Sequence, residues 1–348
     1  MGKFVASGWF IQGDEVSNQS RRSLVCYNVL VNVAANLIGG SFFTGLMIVL
    51  EADDAFAGLV TVLIYGANLL QLFTPVILER FTRRKPLLIT IRVVIHLINI
   101  VFIGLIPFLP VKTSSRLILF GFSVFLVNAL SALSGPGFSV WHIAHVPPSM
   151  RVQYFSLVTM LNGIFVAVFN LLGSGVVDMF KRAGMELWGL TILRVLALVL
   201  AAFDIRQLIR IKELPVQKPL HKLRLKAMLT EPWKHPVYLR SVLVVVLWSL
   251  VANLPGGFYT LYLLREVQVS YSYIMLISSF NVVVLTLLTF VWRRIFLKHN
   301  WLRPLAVAIL LLAPHYVLLA FVSRGLMFLY PLAVIWSFVC TSGINLAF

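Results

Sequence analysis

Apolar residues run along this chain in ten long blocks that short polar stretches separate. The blocks cover roughly residues 23–50, 58–79, 87–110, 117–138, 152–180, 186–209, 240–264, 271–292, 304–322 and 325–348. Most blocks reach the ~20 residues that a helix needs to cross the hydrocarbon layer of a membrane. Backbone groups in lipid are satisfied only in helices or closed barrels, and these blocks are too long and too uniformly apolar for barrel strands. The pattern therefore predicts an all-α integral membrane protein with about ten transmembrane helices.

The composition also favours a lipid environment. The chain has 348 residues, of which 60% are hydrophobic and only 12% are charged, whereas soluble proteins average about 25% charged residues. A soluble fold of this size could not bury so much apolar surface. The partners that we expect are the lipid bilayer and a small-molecule solute, with the protein itself a monomer.

The excess of positive charge follows the orientation expected of a membrane protein. The formal net charge is +17, which in a soluble protein would suggest nucleic-acid binding. With the N-terminus in the cytoplasm, 21 of the 29 Lys and Arg residues fall in cytoplasmic segments and 6 in outer segments. Cytoplasmic loops of membrane proteins carry this excess. The distribution predicts a multi-pass protein of the cell membrane with a cytoplasmic N-terminus, and it indicates no nucleic-acid partner.

The longest polar stretch divides the apolar blocks into six and four. It covers residues 210–239 and is rich in Lys and Arg. We expect an N-terminal six-helix bundle at residues 1–209, a basic cytoplasmic linker at 210–239, and an incomplete C-terminal bundle of four helices at 240–348. A linker that obeys the charge rule is the simpler interpretation, and binding of this stretch to anionic lipid is the alternative.

The loop after the second block resembles a motif of the major facilitator superfamily. The family carries G-x-L-A-D-R-x-G-R-[KR] at this place, and residues 75–85 read PVILERFTRRK. The charged positions of the motif are occupied by Glu79, Arg80, Arg83 and Arg84. Pro75 and Thr82 replace the glycines, so the charge pattern is kept while the tight helix packing of the motif is not expected.

A second stretch is similar to the same family. Residues 136–156, PGFSVWHIAHVPPSMRVQYFS, resemble the W…P…R…yf junction between helices four and five in a bacterial, mostly Gram-positive branch, with Arg151 as its arginine. The resemblance implies a twelve-helix bundle, of which helices eleven and twelve are missing from this chain. It also implies a cytoplasmic gate formed by Glu79, Arg80, Arg83, Arg84 and Arg151.

Three asparagines lie four residues apart in the first block, at Asn28, Asn32 and Asn36. A step of four residues keeps them on one stripe of a helix, about 80° wide. The stripe either joins neighbouring helices by hydrogen bonds or lines a water-filled cavity, and we favour the cavity. The resemblance implies that helices one, four, seven and ten face a central substrate cavity. The cavity residues predicted on these helices are Asn28, Asn32, Asn36, Asn128, Trp248, Asn253 and Asn345.

Four of the charged or titratable residues within the apolar blocks are singled out as intramembrane charges: Arg92, His96, Asp178 and Arg194. Arg92 and His96 are four residues apart and therefore lie on one face of the third helix. We expect Arg92 to extend to the membrane interface or to contact a gate. We expect His96 to be a hydrogen-bonded packing residue or, alternatively, a proton relay. Asp178 and Arg194 lie in the outer halves of helices five and six. Charges in a membrane usually pair, so these two are expected to form an ion pair with each other.

No group of residues indicates an enzyme, a cofactor or a metal site. His142 and His145 have no third or fourth ligand at useful spacing, so a zinc site is not expected and both belong to the inner junction. Neutral amides in a cavity suit a neutral polar or amphipathic solute. The function predicted is a secondary or facilitative transporter that works by alternating access. The alternative is a non-transporting membrane sensor or scaffold, or an inactive remnant of a transporter.

Overall fold

The structure, a computed structural model, describes part of the chain. It covers residues 15–79, 81, 83–213, 230, 232–234, 236, 239, 242–243, 246–247, 249, 256–298 and 302–347. Every regular element among these residues is a helix, and none is a strand. The prediction of an all-α integral membrane protein is confirmed by this architecture.

Among the described residues up to 210, the structure has eight α-helices, apart from one isolated turn. They are α1 (Glu15–Ile38), α2 (Gly40–Val49), α3 (Asp54–Asn68), α4 (Thr74–Glu79), α5 (Arg84–His96), α6 (Thr113–Ala144), α7 (Arg151–Arg182) and α8 (Glu186–Arg210). Shorter helical pieces connect some of them: 3₁₀ turns at Leu69–Phe73, Ile106–Phe108 and Pro148–Met150, a π-helical stretch at Leu97–Phe102 and one α-turn at Ile103–Leu105.

Five further α-helices are described in the remainder of the chain. They are α9 (Gly256–Tyr262), α10 (Tyr271–Lys298), α11 (Leu302–Leu311), α12 (Ala313–Ala320) and α13 (Leu329–Ala347). A π-helical stretch at Leu263–Val267 follows α9, and a 3₁₀ turn lies at Pro232–Lys234. Most of the predicted linker at 210–239 and of the seventh block at 240–264 lies outside the described residues.

Seven helical runs of the described residues are long and apolar enough to cross a membrane. They are Asn18–Val49, Asp54–Leu78, Arg84–Phe108, Thr113–Ala144, Gln153–Arg182, Glu186–Arg210 and Arg303–Ala320. Two shorter apolar helices cover Tyr271–Phe280 and Leu329–Ile344. Together these runs coincide with nine of the ten predicted blocks, and the seventh block lies largely beyond the described residues.

Local chemistry explains a break within the first span and the start of the second. Gly40 has a φ of 51°, a left-handed conformation that a residue with a Cβ adopts at a cost, and it separates α1 from α2. Asp53 caps α3, because its Oδ1 accepts the backbone N–H of Phe56 at 2.7 Å. The acidic stretch between the first two apolar blocks is therefore a helix start.

The described residues form two compact units. One contains residues 1–162 and 190–260, and the other contains 163–189 and 261–348. In the first unit, α6 packs against α3 and α5. A cluster of 12 buried side chains, which includes Tyr27, Leu88 and Trp141, packs between the helices of this unit. It lies at the helix ends that are cytoplasmic in the topology predicted from the charges. In the second unit, α13 packs against α10, α11 and α12.

Candidate functional site

The three asparagines of α1 form a stripe whose amide nitrogens are bound within the helix. Asn28 Nδ2 donates to the carbonyl of Leu24 at 3.0 Å, Asn32 Nδ2 to that of Asn28 at 2.7 Å, and Asn36 Nδ2 to that of Asn32 at 2.8 Å. Asn36 is exposed, and the other two are half-buried. The amide nitrogens of the stripe are thus engaged within α1.

Asn28 also begins a chain of polar contacts across three helices. Its Nδ2 lies 3.2 Å from Nδ1 of His142 on α6, and Nε2 of the same ring lies 2.9 Å from the hydroxyl of Tyr154 on α7. The Tyr154 hydroxyl donates to the carbonyl of Arg21 at 3.3 Å. The prediction that His142 belongs to the inner junction of the fourth and fifth helices therefore fits the contacts seen, and the junction extends to α1.

The other predicted cavity residues are only partly visible. Asn128 on α6 is half-buried, and its Nδ2 donates to the carbonyl of Val124 at 2.8 Å, the same bond within a helix that the α1 asparagines make. Trp248 and Asn253 lie outside the described residues, as does the side chain of Asn345. The cavity on four helices stays a prediction.

The predicted cytoplasmic gate is likewise incomplete. The side chain of Glu79 and the whole of Arg80 lie outside the described residues. Arg83 is exposed just before α5, Arg84 is half-buried in its first turn, and Arg151 Nε donates to the carbonyl of Val146 at 3.2 Å. The gate role of these residues stays a prediction.

Sequence reasoning missed a basic anchor beside that gate. The Nζ of Lys85 donates to the carbonyls of Ile209 and Ile211 at 2.8 and 2.7 Å, where α8 ends. Its backbone N–H donates to a carboxylate oxygen of Glu213 at 3.3 Å. An ammonium group at the C-terminus of a helix satisfies carbonyls that have no partner within the helix. Lys85 thus ties the start of α5 to the end of α8.

A second group holds the same end of α8. The buried ring of His145 lies 2.8 Å from the carbonyl of Trp141 through Nδ1 and 2.9 Å from the carbonyl of Lys212 through Nε2. The backbone N–H of Lys212 donates to the hydroxyl of Ser20 at 3.1 Å. His145 therefore connects the end of α6 with the residues that follow α8.

Arg92 is directed inward on α5. Its Nη2 donates to the hydroxyl of Tyr27 at 2.7 Å, and its guanidinium carbon lies 4.5 Å from the ring centroid of Phe138. A guanidinium over an aromatic face gains electrostatic stabilisation, more so away from water. These contacts lie within the core of the first unit and not at the membrane interface, and the gate contact that was the alternative for Arg92 stays a prediction.

His96, one turn further along, pairs with a residue that the sequence analysis did not single out. Its Nε2 lies 2.8 Å from Oδ2 of Asp204 on α8. The side chain of Asp204 has no exposed surface and that of His96 is 12% exposed. The available signal was a lone carboxylate inside the apolar block LALVLAAFDIRQLIR.

Asp178 and Arg194 do not have the partners that the sequence predicted. The carboxylate of Asp178 accepts the backbone N–H groups of Tyr271 and Ser272 at 2.9 and 2.8 Å. The Nη1 of Arg194 donates to the carbonyl of Asn99 at 2.7 Å. The predicted ion pair is corrected to two separate charge–backbone contacts, because a helix start and a π-helical stretch each leave backbone groups without helical partners.

The contact of Asp178 is a helix cap made by a distant part of the chain. Tyr271 and Ser272 are the first residues of α10, and a carboxylate is stabilised at a helix N-terminus by the unpaired N–H groups and the helix dipole. The hydroxyl of fully buried Tyr271 donates to Oε1 of Glu186 at 2.6 Å. Lys181 Nζ lies 4.0 Å from that same oxygen. We call Asp178, Glu186 and Tyr271 the outer latch.

Comparisons with known proteins identify the fold. No protein-family model matches the chain, and no curated protein matches it in sequence. A mutant of the nucleoside transporter NupG matches with a TM-score of 0.65 at 14% identity, over 94% of this chain and 81% of that one. A bacterial homologue of the iron transporter ferroportin, in an inward-facing state, matches with a TM-score of 0.69 at 15% identity, over 94% and 82%.

A third similar structure is a bacterial homologue of the human lysosomal transporter Spinster in an inward-facing and unoccupied conformation. It matches with a TM-score of 0.65 at 15% identity, over 97% of this chain and 75% of that one. These structures are transporters of the major facilitator type, so the predicted fold class is confirmed. Identities this low concern the fold alone, and the predicted bacterial branch is not addressed by them.

Proposed function

We propose that this protein is a secondary transporter that moves a small solute across the membrane by alternating access. In this mechanism two helical bundles rock around a central site, which opens to one side of the membrane at a time. The fold is one support for the proposal. The observation that carries it is the outer latch, because within the second unit it joins the end of α7 and the start of α8, which the sequence assigns to the six-helix bundle, to the first turn of α10.

The latch has the properties of a gate contact. Asp178 and Glu186 belong to the ends of α7 and α8 that the charge pattern places outside, and their partners lie more than 80 residues later in the chain. A charge-assisted cap of this kind contributes about 0.5–2 kcal/mol. That is small enough to break in a transport cycle, whose states differ by a few kcal/mol. Closing the latch would close the outer side.

The polar stripe on α1 supports a solute pathway in the same half. The amide nitrogens of Asn28, Asn32 and Asn36 are engaged in their own helix, so the amide oxygens are left to accept hydrogen bonds from water or solute. Amide groups facing lipid hydrocarbon without such partners would be costly. We infer that the solute is neutral and polar or amphipathic, with Asn32 in contact with it. The gate that opens to the cytoplasm would be formed by Glu79, Arg80, Arg83, Arg84 and Arg151.

Side-specific labelling tests the proposal without knowledge of the solute. Asn32→Cys is made in a Cys26→Ser, Cys340→Ser background and reconstituted in vesicles of known orientation. A membrane-impermeant maleimide should label position 32 from the cytoplasmic side, and Asp178→Asn should increase its labelling from the outer side. Val33→Cys, on a side chain only 2% exposed, is the control for buried positions. Asp54→Asn is the control for loss of an exposed carboxylate.

Labelling of position 32 from one side only, unchanged by Asp178→Asn, would contradict alternating access and favour a scaffold. Uptake by proteoliposomes then narrows the solute. A nucleoside and D-xylose are suitable first probes, because similar structures include a nucleoside transporter and a D-xylose–proton symporter. Iron is the contrasting probe, since another similar structure is a homologue of an iron transporter, and uptake of this cation would contradict a neutral solute.

A further inference from the structure

Asp204 is a buried carboxylate with one half of its hydrogen-bonding capacity unused. Its Oδ2 is 2.8 Å from His96 Nε2, while its Oδ1 is buried and has no hydrogen-bond partner among the described residues. An isolated charge in such a site costs several kcal/mol, and a carboxylate with one contact is only partly compensated. Groups in this situation commonly adjust by binding a proton. The sequence places this pair in neither the gate nor the cavity.

Among the described residues, the Asp204 carboxylate has no ion pair other than that with His96. His96 is the only basic side chain of the described residues within 4.0 Å of the Asp204 carboxylate. Arg92, on the same helix as His96, is engaged by the Tyr27 hydroxyl and the ring of Phe138. Tyr27 is the nearby titratable group on α1, and its hydroxyl accepts the hydrogen bond from Arg92.

The remaining titratable groups of the packed helices have partners elsewhere. On α6 and just after it, His142 contacts Asn28 and Tyr154, and His145 contacts two backbone carbonyls. On α8 itself, Arg194 contacts the carbonyl of Asn99, and Arg206 is exposed. None of these described groups forms a hydrogen bond or an ion pair with His96 or Asp204.

We propose that His96 and Asp204 form a proton-binding site whose occupancy differs between the two states of the transport cycle. With one shared proton, Nε2–H of a neutral imidazole donates to the carboxylate and the pair has a net charge of −1. A second proton, taken from water at Nδ1 of His96, gives an imidazolium–carboxylate pair without net charge. The imidazole is the entry point because it alone of the two side chains has exposed surface. This coupling role rests on the proposed transport function, whereas proton binding itself does not.

Proton counting on the full-length protein tests the site directly. The protein is purified in detergent and titrated between about pH 8 and pH 5, the range in which an imidazole changes its charge. Asp204→Asn and His96→Gln should each take up about one proton fewer per molecule than the unchanged protein over this range. Both replacements keep an N–H that can bridge the two helices, so a structural tether would survive while the proton site would not.

Controls separate the site from other histidines and carboxylates. Asp54→Asn removes an exposed carboxylate and should leave the proton count unchanged. His315→Gln removes a histidine that is bonded to the carbonyl of Ala333 in the second unit, and it is the control for the loss of a histidine elsewhere in the protein. If Asp204→Asn fails to fold, His96→Gln alone carries the test, and thermal unfolding of each variant shows which are usable. An unchanged proton count in a folded His96→Gln protein would overturn the proposal.

The coupling is tested by repeating the labelling of Asn32→Cys at both ends of the pH range. The ratio of outer to inner labelling should change with pH in the otherwise unchanged protein and should not change when Asp204→Asn or His96→Gln is added. A ratio that is independent of pH would overturn the coupling. Labelling from one side under every condition would instead contradict the transport proposal, while the proton count would still report on the pair.

Discussion

Gly137 lies directly against Leu88, so closely that a methyl group on the glycine would come within 3.0 Å of Leu88 Cδ2. It would also lie 2.9 Å from Cδ1 of Leu78. Leu88 is fully buried and Leu78 is 6% exposed, so neither side chain has free space into which to move. The second glycine of the SALSGPG stretch thus lets α6 approach α4 and α5.

Gly137→Ala should therefore destabilise the protein by about 1–3 kcal/mol through overpacking. Gly135→Ala, in the same helix and with no atom within 4 Å of the added methyl group, is the matched control and should cause no loss. Thermal unfolding in one detergent compares the two. Equal unfolding temperatures for both variants would show that the contact is not tight.

Lys85→Met should weaken the junction between α5 and α8. The variant keeps the length of the side chain but removes the ammonium group from the carbonyls of Ile209 and Ile211. Hydrogen bonds from a charged donor contribute about 1.5–3 kcal/mol, so a loss of this size is expected. Lys112→Met, at an exposed lysine before α6, is the control. Denaturation followed by tryptophan fluorescence measures the stability of both variants. Equal stability of the two would contradict the role of Lys85 as an anchor between α5 and α8.

Asn28→Ala and Asn32→Ala should differ in stability. Both lose a bond to a carbonyl of their own helix, and only Asn28 also contacts another helix, through His142. Polar contacts between membrane helices contribute about 0.6 kcal/mol on average and about 1.7 at most. Asn28→Ala is expected to unfold at the lower temperature. If Asn32→Ala is the less stable of the two, Asn32 packs against another helix and the open stripe on α1 is wrong.

The predicted topology gives a direct experiment. In the cysteine-free background, Lys112→Cys before α6 should react with an impermeant maleimide added outside whole cells. Ser149→Cys, between α6 and α7, should react only after the membrane is permeabilised. Both positions are exposed, so a difference in reaction reports the side of the membrane. The reverse pattern would invert the chain and place the outer latch at the cytoplasm.

The helices were predictable from the sequence, because a run of about 20 apolar residues is sufficient to indicate a span. The residues at which the helices begin and end were less predictable. The helix α1 begins at Glu15, eight residues before the first apolar block, because polar residues continue a helix beyond the hydrocarbon layer. Asp53 caps the N-terminus of α3, so the acidic stretch that looks like a loop in the sequence is the start of a helix.

The partners of charged residues were much harder to predict. Asp178 binds backbone N–H groups, and any sequence provides those at every helix start. His96 and Asp204 are 108 positions apart, so one sequence gives no reason to place them together. The resemblance directed attention to helices one, four, seven and ten, whereas the buried pair lies on the third and sixth spans. A carboxylate alone in an apolar block was the usable signal.

The π-helical stretch Leu97–Phe102 also determines which side of the third span meets α8. His96 and Gly104 are eight residues apart, and in a regular α-helix their side-chain directions would differ by about 80°. A π-bulge absorbs one extra residue, which reduces that difference to about 20°. His96 can then meet Asp204 while Gly104 lies against Arg194, whose Cδ would be 3.0 Å from a methyl group there. Chain length and helix type in this stretch therefore act together: deleting a single residue would leave a regular α-helix with the same side facing α8, whereas forcing all its present residues into a regular α-helix would turn the outer half of the span away.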